Sequence, residues 1–301
     1  MNYLIKTENL SKTYPGTAKP ALNNLNLAIS SGEIYGFLGA NGAGKSTTIR
    51  LLLNFIQPSS GQAKIFGNTV KNDEIRREIG YLSGDVVLWN KSTGHEIFEF
   101  LGRLGKQVDQ EYLDYLIKKL DAEPHKKIYQ LSKGNRQKIG LIQALMHRPK
   151  VLILDEPTSG LDPLIQEVFY EIIKDFANQG SAILISSHNL YEAQSLCSKI
   201  GIIKEGNLVH EQKISDDSKL NIVNYRVTFA NNHDLTKFTK LKSHEFKIVS
   251  ENVNQLLIQP TNEINEVLKV LSNFKITSLT SEQINLGDEF LEYYGETNAN
   301  A

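Results

Sequence analysis

Hydrophobic and polar positions along the chain change period several times, and the changes mark its elements. Residues 1–10 alternate and predict a strand. Leu25, Leu27 and Ile29 share one face of a second strand over Leu22–Ile29. Ser31-Gly32 turns the chain into a short apolar strand, Ile34–Leu38, followed by a glycine-rich loop and helical spacing over Ser46–Asn54. From about Ile75 to Leu120 the spacing reads as mostly helical, with Phe98, Leu101 and Leu104, then Leu113, Leu116, Ile117 and Leu120, at helical intervals. Gln137–His147 is a further helix, closed by Pro149. Val151–Leu154 is a continuous apolar run, as a strand buried on both faces requires. A helix near Ile165–Phe176 and a second buried strand, Ala182–Ser186, continue the alternation, which argues for an α/β core with a parallel sheet.

The pattern changes near residue 215. Ser215–Leu220 (SDDSKL) is polar and reads as a linker. Beyond it the order is strand 223–229, helix 234–241, strands 245–250 and 253–259, helix 262–272, strand 274–280 and helix 287–294. That β-α-β-β-α-β order predicts a small α+β ferredoxin-like domain over 221–301, after a first domain over 1–215.

Composition narrows the class. The chain has 301 residues, 40% hydrophobic and 22% charged, which is globular rather than disordered. A formal net charge of -1 argues against nucleic acid as the main partner. The single cysteine, Cys197, permits no intrachain disulfide, fits a reduced cytoplasmic setting, and reads as a buried apolar residue. No apolar run reaches the ~20 residues needed to cross a bilayer. The start, MNYLIKTENLSK, has no signal-peptide core. Any work at a membrane therefore requires a partner that spans it.

Two segments carry chemistry. Gly39-Ala40-Asn41-Gly42-Ala43-Gly44-Lys45-Ser46 fits G-x-x-x-x-G-K-[ST], between a strand and a helix. Its glycines let backbone N–H groups curl toward phosphate oxygens, and the helix start adds its positive dipole end. Lys45 can place its ammonium between β- and γ-phosphates, and the Ser46 hydroxyl can bind Mg²⁺. Val151-Leu152-Ile153-Leu154-Asp155-Glu156 buries four residues and presents two carboxylates at the strand's carboxyl end, where α/β sheets place ligands. Asp155 can hold Mg²⁺ through water, and Glu156 can take a proton from an attacking water.

A third segment, Leu131-Ser132-Lys133-Gly134-Asn135-Arg136-Gln137, resembles the ABC signature, usually L-S-G-G-Q, in the variant of ABC-2-type exporter ATPases. Other pieces stand in that family's order. Tyr14 matches the aromatic that stacks on adenine, Ser159-Gly160-Leu161-Asp162 the D-loop, and His188 the switch histidine. The resemblance covers about residues 1–215. The closing stretch Asp288–Gly295 resembles the tail of the accessory domain on some of these ATPases.

The resemblance implies a P-loop NTPase cassette with a β subdomain, a RecA-like core and a helical subdomain. It also implies an ATPase using ATP and Mg²⁺. Thr47 completes the nucleotide-contacting loop, and Asp162 belongs to the nucleotide interface. Two copies, or this chain and a homologous subunit, would pack head to tail. Ser132 and the Gly134 N–H would then face the γ-phosphate held by the other copy. A separate transmembrane permease would dock near Val86–Phe98, placing the chain in the cytoplasm on the inner face of the cell membrane. The apolar stretch Val86–Trp89 is either that contact or ordinary core. Tyr14 could instead pack in a turn, and Lys133, in place of the usual glycine, is read as exposed, with a nucleotide contact open. The family's glutamine or glutamate after the Ile79-Gly80-Tyr81-Leu82 strand is here Gly84, which offers no side-chain ligand; Asp85 is the nearest substitute. The alternative functions are a non-transporter ABC ATPase on a ribosome or assembly complex, and a regulator that hardly hydrolyses. One set of motifs disfavours the first and an intact Glu156 the second.

Overall fold

Apolar runs too short for a helix and lacking polar positions can only be satisfied between two layers, and three of them form the centre of the main sheet. The computed structural model describes residues 3–105, 108–214, 223–241, 245–252, 254–261 and 264–283. The chain divides into two compact units, Met1–Ile214 and Ser215–Ala301.

In the first unit, β3 (Ile34–Leu38), β7 (Val151–Asp155) and β8 (Ala182–Ser187) are buried almost throughout. With β6 (Ile79–Leu82), β9 (Lys199–Lys204) and β10 (Asn207–Lys213) they form a six-stranded sheet of order β10-β9-β3-β8-β7-β6. It is parallel except for the β9–β10 hairpin. A second, antiparallel sheet has the order β2-β1-β4-β5, from β1 (Tyr3–Lys12), β2 (Leu22–Ser30), β4 (Ser60–Ile65) and β5 (Asn68–Thr69). One hydrophobic cluster joins the sheets: Ile5, Leu10, Leu25 and Ile29 pack with Phe37, Ile153 and Leu184. Burying each such side chain stabilises the fold by about 1.5–3 kcal/mol. The helix α1 (Lys45–Leu52) adds Ile49, Leu51 and Leu52 to the same cluster.

The remaining helices start where capping chemistry dictates. A capping box of Thr93 and Glu96 opens α2 (Gly94–Leu104), and Asp109 opens α3 (Gln110–Lys119). Ser132 caps α4 (Lys133–Leu145), so this helix begins four residues before the expected Gln137. Asp162 followed by Pro163 opens α5 (Pro163–Asn178). The short α6 (Leu190–Leu196) follows β8. Cys197 is buried, 1% exposed.

Helical spacing over 75–120 overreached. Residues Asp73–Glu78 form a 3-10 turn, Ile79–Leu82 are β6, and the chain is irregular from there to α2. Gly80 explains the strand: a Cβ there would lie 2.1 Å from the Ala144 carbonyl, so β6 is pressed against α4. Strands β4, β5, β9 and β10 went unread.

The second unit runs β11 (Val223–Phe229), α7 (Asn232–Thr239), β12 (Phe246–Asn252), β13 (Gln255–Pro260), α8 (Ile264–Leu271) and β14 (Ile276–Gln283). Its sheet order is β12-β13-β11-β14 with antiparallel neighbours, the interleaving that the ferredoxin-like fold has. Both helices bury residues on one face: Leu235, Phe238, Val267 and Leu271 cluster with Val227, Phe229, Leu256 and Ile258. Phe238 stacks on Phe246 with ring centroids 4.6 Å apart. The polar stretch 215–220, the helix expected at 287–294 and the tail at 288–295 lie outside the described residues.

Candidate functional site

A cleft of about 660 Å³ opens at the carboxyl ends of the parallel strands. Its walls include Asn41, Gly42, Gly44, Lys45, Ser46 and Thr47 from the loop after β3, Asp155 and Glu156 after β7, and His188 after β8. Adjacent parallel strands β3, β8 and β7 bring these three ends together although up to 149 positions separate them in sequence.

The loop needs its glycines. Gly42 and Gly44 have φ of +84° and +117°, where a side chain is strained. Gly39 has no space for a Cβ, which would come within 2.7 Å of the Ile203 carbonyl. Gly39 and the buried Ala43 support the loop rather than line the cleft. The Lys45 side chain curls back over the loop, donating to the carbonyls of Gly39 at 2.5 Å and Ala40 at 3.3 Å. It is 6% exposed. Burial pulls its ammonium below the ordinary lysine value, while the carboxylates of Glu156 and Asp155 oppose the shift. Nζ lies 3.9 Å from Oε1 of Glu156.

Asp155 is held from two sides. Ser186 Oγ donates to Oδ1, and Ser46 Oγ donates to Oδ2 at 3.2 Å. Ser46 and Asp155 thus converge hard oxygen donors at the loop's mouth, a set that suits Mg²⁺. Among the described residues no group of three or more His, Cys, Asp or Glu could hold a metal. A few-ligand site of this kind fits an ion that keeps much of its water. Burial and the negative charge of Asp155 both raise the Tyr81 hydroxyl above its ordinary value. Gly84 passes beside Asp155, where a Cβ would sit 3.4 Å from Oδ2, and Asp85 lines the cleft from the same loop.

Glu156 has φ of +48°, a left-handed backbone that costs a non-glycine residue about 1–3 kcal/mol. Its N–H donates to the Ser186 carbonyl at 3.1 Å, and its carbonyl accepts from Gln137 Nε2 at 3.3 Å. Nδ1 of His188 lies 2.8 Å from Oε2 of Glu156. An ionised carboxylate only accepts, so that ring nitrogen carries the proton. The His188 side chain is 69% exposed, leaving its other nitrogen accessible from the cleft.

The other expected residues lie elsewhere. The Tyr14 hydroxyl is 3.5 Å from Thr47 Oγ1, which puts it beside the loop's outer end. Ser132, Gly134 and Asp162 do not line the cleft. Ser132 Oγ accepts from the Asn135 N–H at 3.1 Å, which leaves its own proton to donate. Asp162 caps α5 through the Ile165 N–H at 3.1 Å.

Sequence reasoning missed Ser186 and Glu192, and it placed Gln137 in the signature-like segment without its contacts to Glu156 and Pro157. Glu192 is 5% exposed and accepts from Thr158 Oγ1 at 2.8 Å and Ser187 Oγ at 2.6 Å. Burial pushes its carboxyl above the ordinary value, the two hydroxyls pull it down, and Glu156 nearby adds to the rise. Serines at the end of an apolar strand were the one available signal for Ser186.

Comparison with known proteins identifies the family of the chain. The family model described as ABC transporter matches residues 22–159, and one for an AAA domain matches residues 126–193. The chain is 33% identical over 307 residues to the uncharacterized ABC transporter ATP-binding protein YcbN of Bacillus subtilis, covering 95% of this chain and 97% of the relative. It is 33% identical to the bacitracin transport ATP-binding protein BcrA of Bacillus licheniformis, covering 98% of each. Among solved structures, the dimeric post-hydrolysis state of an ATP-binding cassette bound to ADP and Pi superposes with a TM-score of 0.64. It is 25% identical and covers 70% of this chain and 99% of that one.

Proposed function

Because the chain belongs to the ABC transporter ATP-binding proteins, a family of ATPases, we propose that it is the motor of an exporter whose membrane-spanning part is a separate permease. The lean to export rests on the signature variant and on the likeness to a bacitracin transport protein. Among the described residues no helix is long and apolar enough to cross a membrane, so this reading has the permease hold the chain at the inner face of the membrane. A cassette serving a ribosome or an assembly complex is not favoured, since the full-length relatives named above are transporter proteins.

The reading of the site rests on one observation above all: Glu156, His188, Lys45, Ser46 and Asp155 face one cleft around a loop shaped for phosphate. The loop N–H groups and the start of α1 bind the β- and γ-phosphates, and Thr47 and Tyr14 flank the nucleotide. Lys45 exchanges its loop carbonyls for phosphate oxygens and balances charge on the departing ADP oxygen. Ser46, and Asp155 through water, would hold Mg²⁺, which when bound neutralises charge on the phosphates. Glu156 takes a proton as a water oxygen bonds to the γ-phosphorus and the bond to ADP breaks. His188 orients Glu156 through Nδ1 and offers its exposed edge to the γ-phosphate.

Ser132, Gly134 and Asp162 lie outside this cleft, which supports their assignment to the surface that meets a second copy. ATP between two copies then becomes part of the interface, and hydrolysis weakens it. We assign residues 1–215 to nucleotide chemistry and 221–301 to an accessory domain that tunes closure of the dimer. The test is co-expression with a candidate membrane-spanning permease. Recovery of both from detergent-solubilised membranes, with ATPase activity that depends on the pair, supports the assignment. A chain that hydrolyses ATP but never associates with a spanning protein refutes the transporter role.

A further inference from the structure

One side of the start of α4 holds the segment that carries Glu156. Lys133, Gly134 and Gln137 stand at i, i+1 and i+4, and each touches a different part of residues 156–160. Gln137 Nε2 donates to the Pro157 carbonyl at 2.8 Å and the Glu156 carbonyl at 3.3 Å. Gly134 lies so close to Gly160 that a Cβ would come within 2.7 Å of its carbonyl oxygen. Lys133 Nζ donates to Ser159 Oγ at 3.1 Å. Its methylenes run beside Gly160, 3.4–3.5 Å from where a Cβ would stand on that residue, whose φ is +80°. On the other side Glu192 holds Thr158. Residues 156–160 are therefore gripped by α4 and α6 together, with the strained backbone of Glu156 at their head.

We propose that Lys133 is a positioning residue for ATP hydrolysis: by holding Ser159 it clamps the loop behind Glu156 to the helix whose N-cap, Ser132, meets the second copy. The proposal rests on the reading that two copies close around ATP. Its consequence is confined to signatures that carry this lysine, because Lys133 stands where the usual L-S-G-G-Q has a glycine that could form no such bond. Displacing Ser132 and the first turn of α4 on closure moves Lys133 with it, and Ser159 follows. The base at one composite site thereby senses nucleotide at the other. The geometry disfavours the competing role of Lys133, contact with the second copy's nucleotide. Its stem lies along Gly160 and its ammonium points to Ser159, lining its own chain's cleft.

The test compares Lys133→Met, Lys133→Arg, Ser159→Ala and the Lys133→Met/Ser159→Ala pair. Two readouts are used: steady-state ATPase kinetics, and ATP-driven dimer closure, by light scattering, in the Glu156→Gln background. Lys133→Met is expected to lower kcat by about tenfold, the rate equivalent of one lost charge-assisted hydrogen bond. KM and the ATP concentration for closure should stay within about twofold, since no nucleotide contact is removed. Ser159→Ala should reproduce the loss, the pair should be no worse than either alone, and Lys133→Arg should recover most of the rate. Unchanged kcat, losses that multiply in the pair, or a closure concentration raised about tenfold by Lys133→Met would each overturn the proposal; the last assigns Lys133 to the second nucleotide. Failure of the underlying reading has its own signature: the chain with native Lys133 and Ser159 would not dimerise with ATP in the Glu156→Gln background, and the proposal would fall with it.

Discussion

Replacing Glu156 by glutamine removes one charge and little else. The amide has nearly the carboxylate's shape, and its oxygen can still accept from His188 Nδ1, now 2.8 Å from Oε2. The backbone at φ +48° is unaffected by the side chain's terminal atoms. Lys45 loses a carboxylate 3.9 Å away but keeps its two loop carbonyls and the field of Asp155. Nucleotide binding should therefore survive. What is lost, on the proposed reading, is the acceptor for the water's proton, worth about 10²–10⁴ in rate, or roughly 3–5 kcal/mol of barrier. Phosphate release at saturating ATP gives kcat, and equilibrium binding gives the ATP dissociation constant separately. The expected result is a loss of at least about a hundredfold in kcat, binding within about threefold, and an ATP-bound dimer that persists in light scattering. Hydrolysis within about tenfold of the native rate would refute the base assignment. Loss of ATP binding would instead show that the Glu156 charge holds Lys45 in place.

Four further outcomes are expected. Mixing Lys45→Ala with Ser132→Arg, each inactive alone, puts both defects on one composite site of the mixed dimer; about a quarter of native activity should return if one intact site suffices. A chain ending at Asp217 should keep its ATP affinity, because every nucleotide motif lies in the first unit, while the ATP or protein concentration for dimer closure shifts; a folded truncation that cannot bind ATP refutes this. Burial raises the folded-state pKa of Glu192 above its unfolded value of about 4.5, so stability is greatest below that value and falls as pH rises through the folded value. Glu192→Gln should flatten that fall in a series of thermal melts, whereas Glu192→Ala should cost about 1–3 kcal/mol for each hydroxyl left without its acceptor. If Asp85 stands in for the side chain missing at Gly84, Asp85→Asn should raise the Mg²⁺ concentration for half-maximal activity about tenfold, and an unchanged titration leaves the ion to Ser46 and Asp155.

The parts of the site that could be read from sequence are those whose chemistry is local. Gly39–Ser46 encodes its own loop, because positive φ at Gly42 and Gly44 and the close packing of Gly39 are properties of single positions. Val151–Glu156 is similar: four apolar residues require burial, and the carboxylates must then emerge at an end of the sheet. Strands with weaker patterns escaped. The first three residues of β4 are exposed, and β10 alternates exposed with partly buried positions, among them the polar His210 and Gln212. β10 earns its place through pairing with β9 and through Glu211, which accepts from the buried Tyr35 hydroxyl at 2.8 Å, from far away in sequence. The second unit's elements were legible because Val227, Phe229, Phe238, Leu256 and Ile258 alternate or recur cleanly, but nothing local fixes the β12-β13-β11-β14 order.

What holds the proposed catalytic residues in place was not legible at all, and the reason is topological. Gln137 and Pro157 are 20 positions apart, Ser186 and Asp155 31, and Thr158 and Glu192 34. Each pair meets only because β7 and β8 are neighbours and α4 and α6 pack beside their ends. Ser186 and Glu192 belong to no motif that announces chemistry, and the signature-like segment gives its Gln137 no such role, yet Gln137 and Ser186 hold Glu156 in a conformation its own residue type disfavours, and Glu192 holds Thr158 two positions on. Strain of about 1–3 kcal/mol at one residue persists only where several contacts over-determine it. Here Ser186 accepts from the Glu156 N–H, Gln137 donates to its carbonyl, and Ser159 N–H donates to that same carbonyl at 3.2 Å. A motif can therefore place a base in the right cleft, while its exact orientation is set by residues with no signature, on elements brought together by strand order. Substitutions at Gln137 or Ser186 should accordingly act on kcat with ATP affinity largely preserved, and the reverse pattern would show that these residues support the phosphate loop instead.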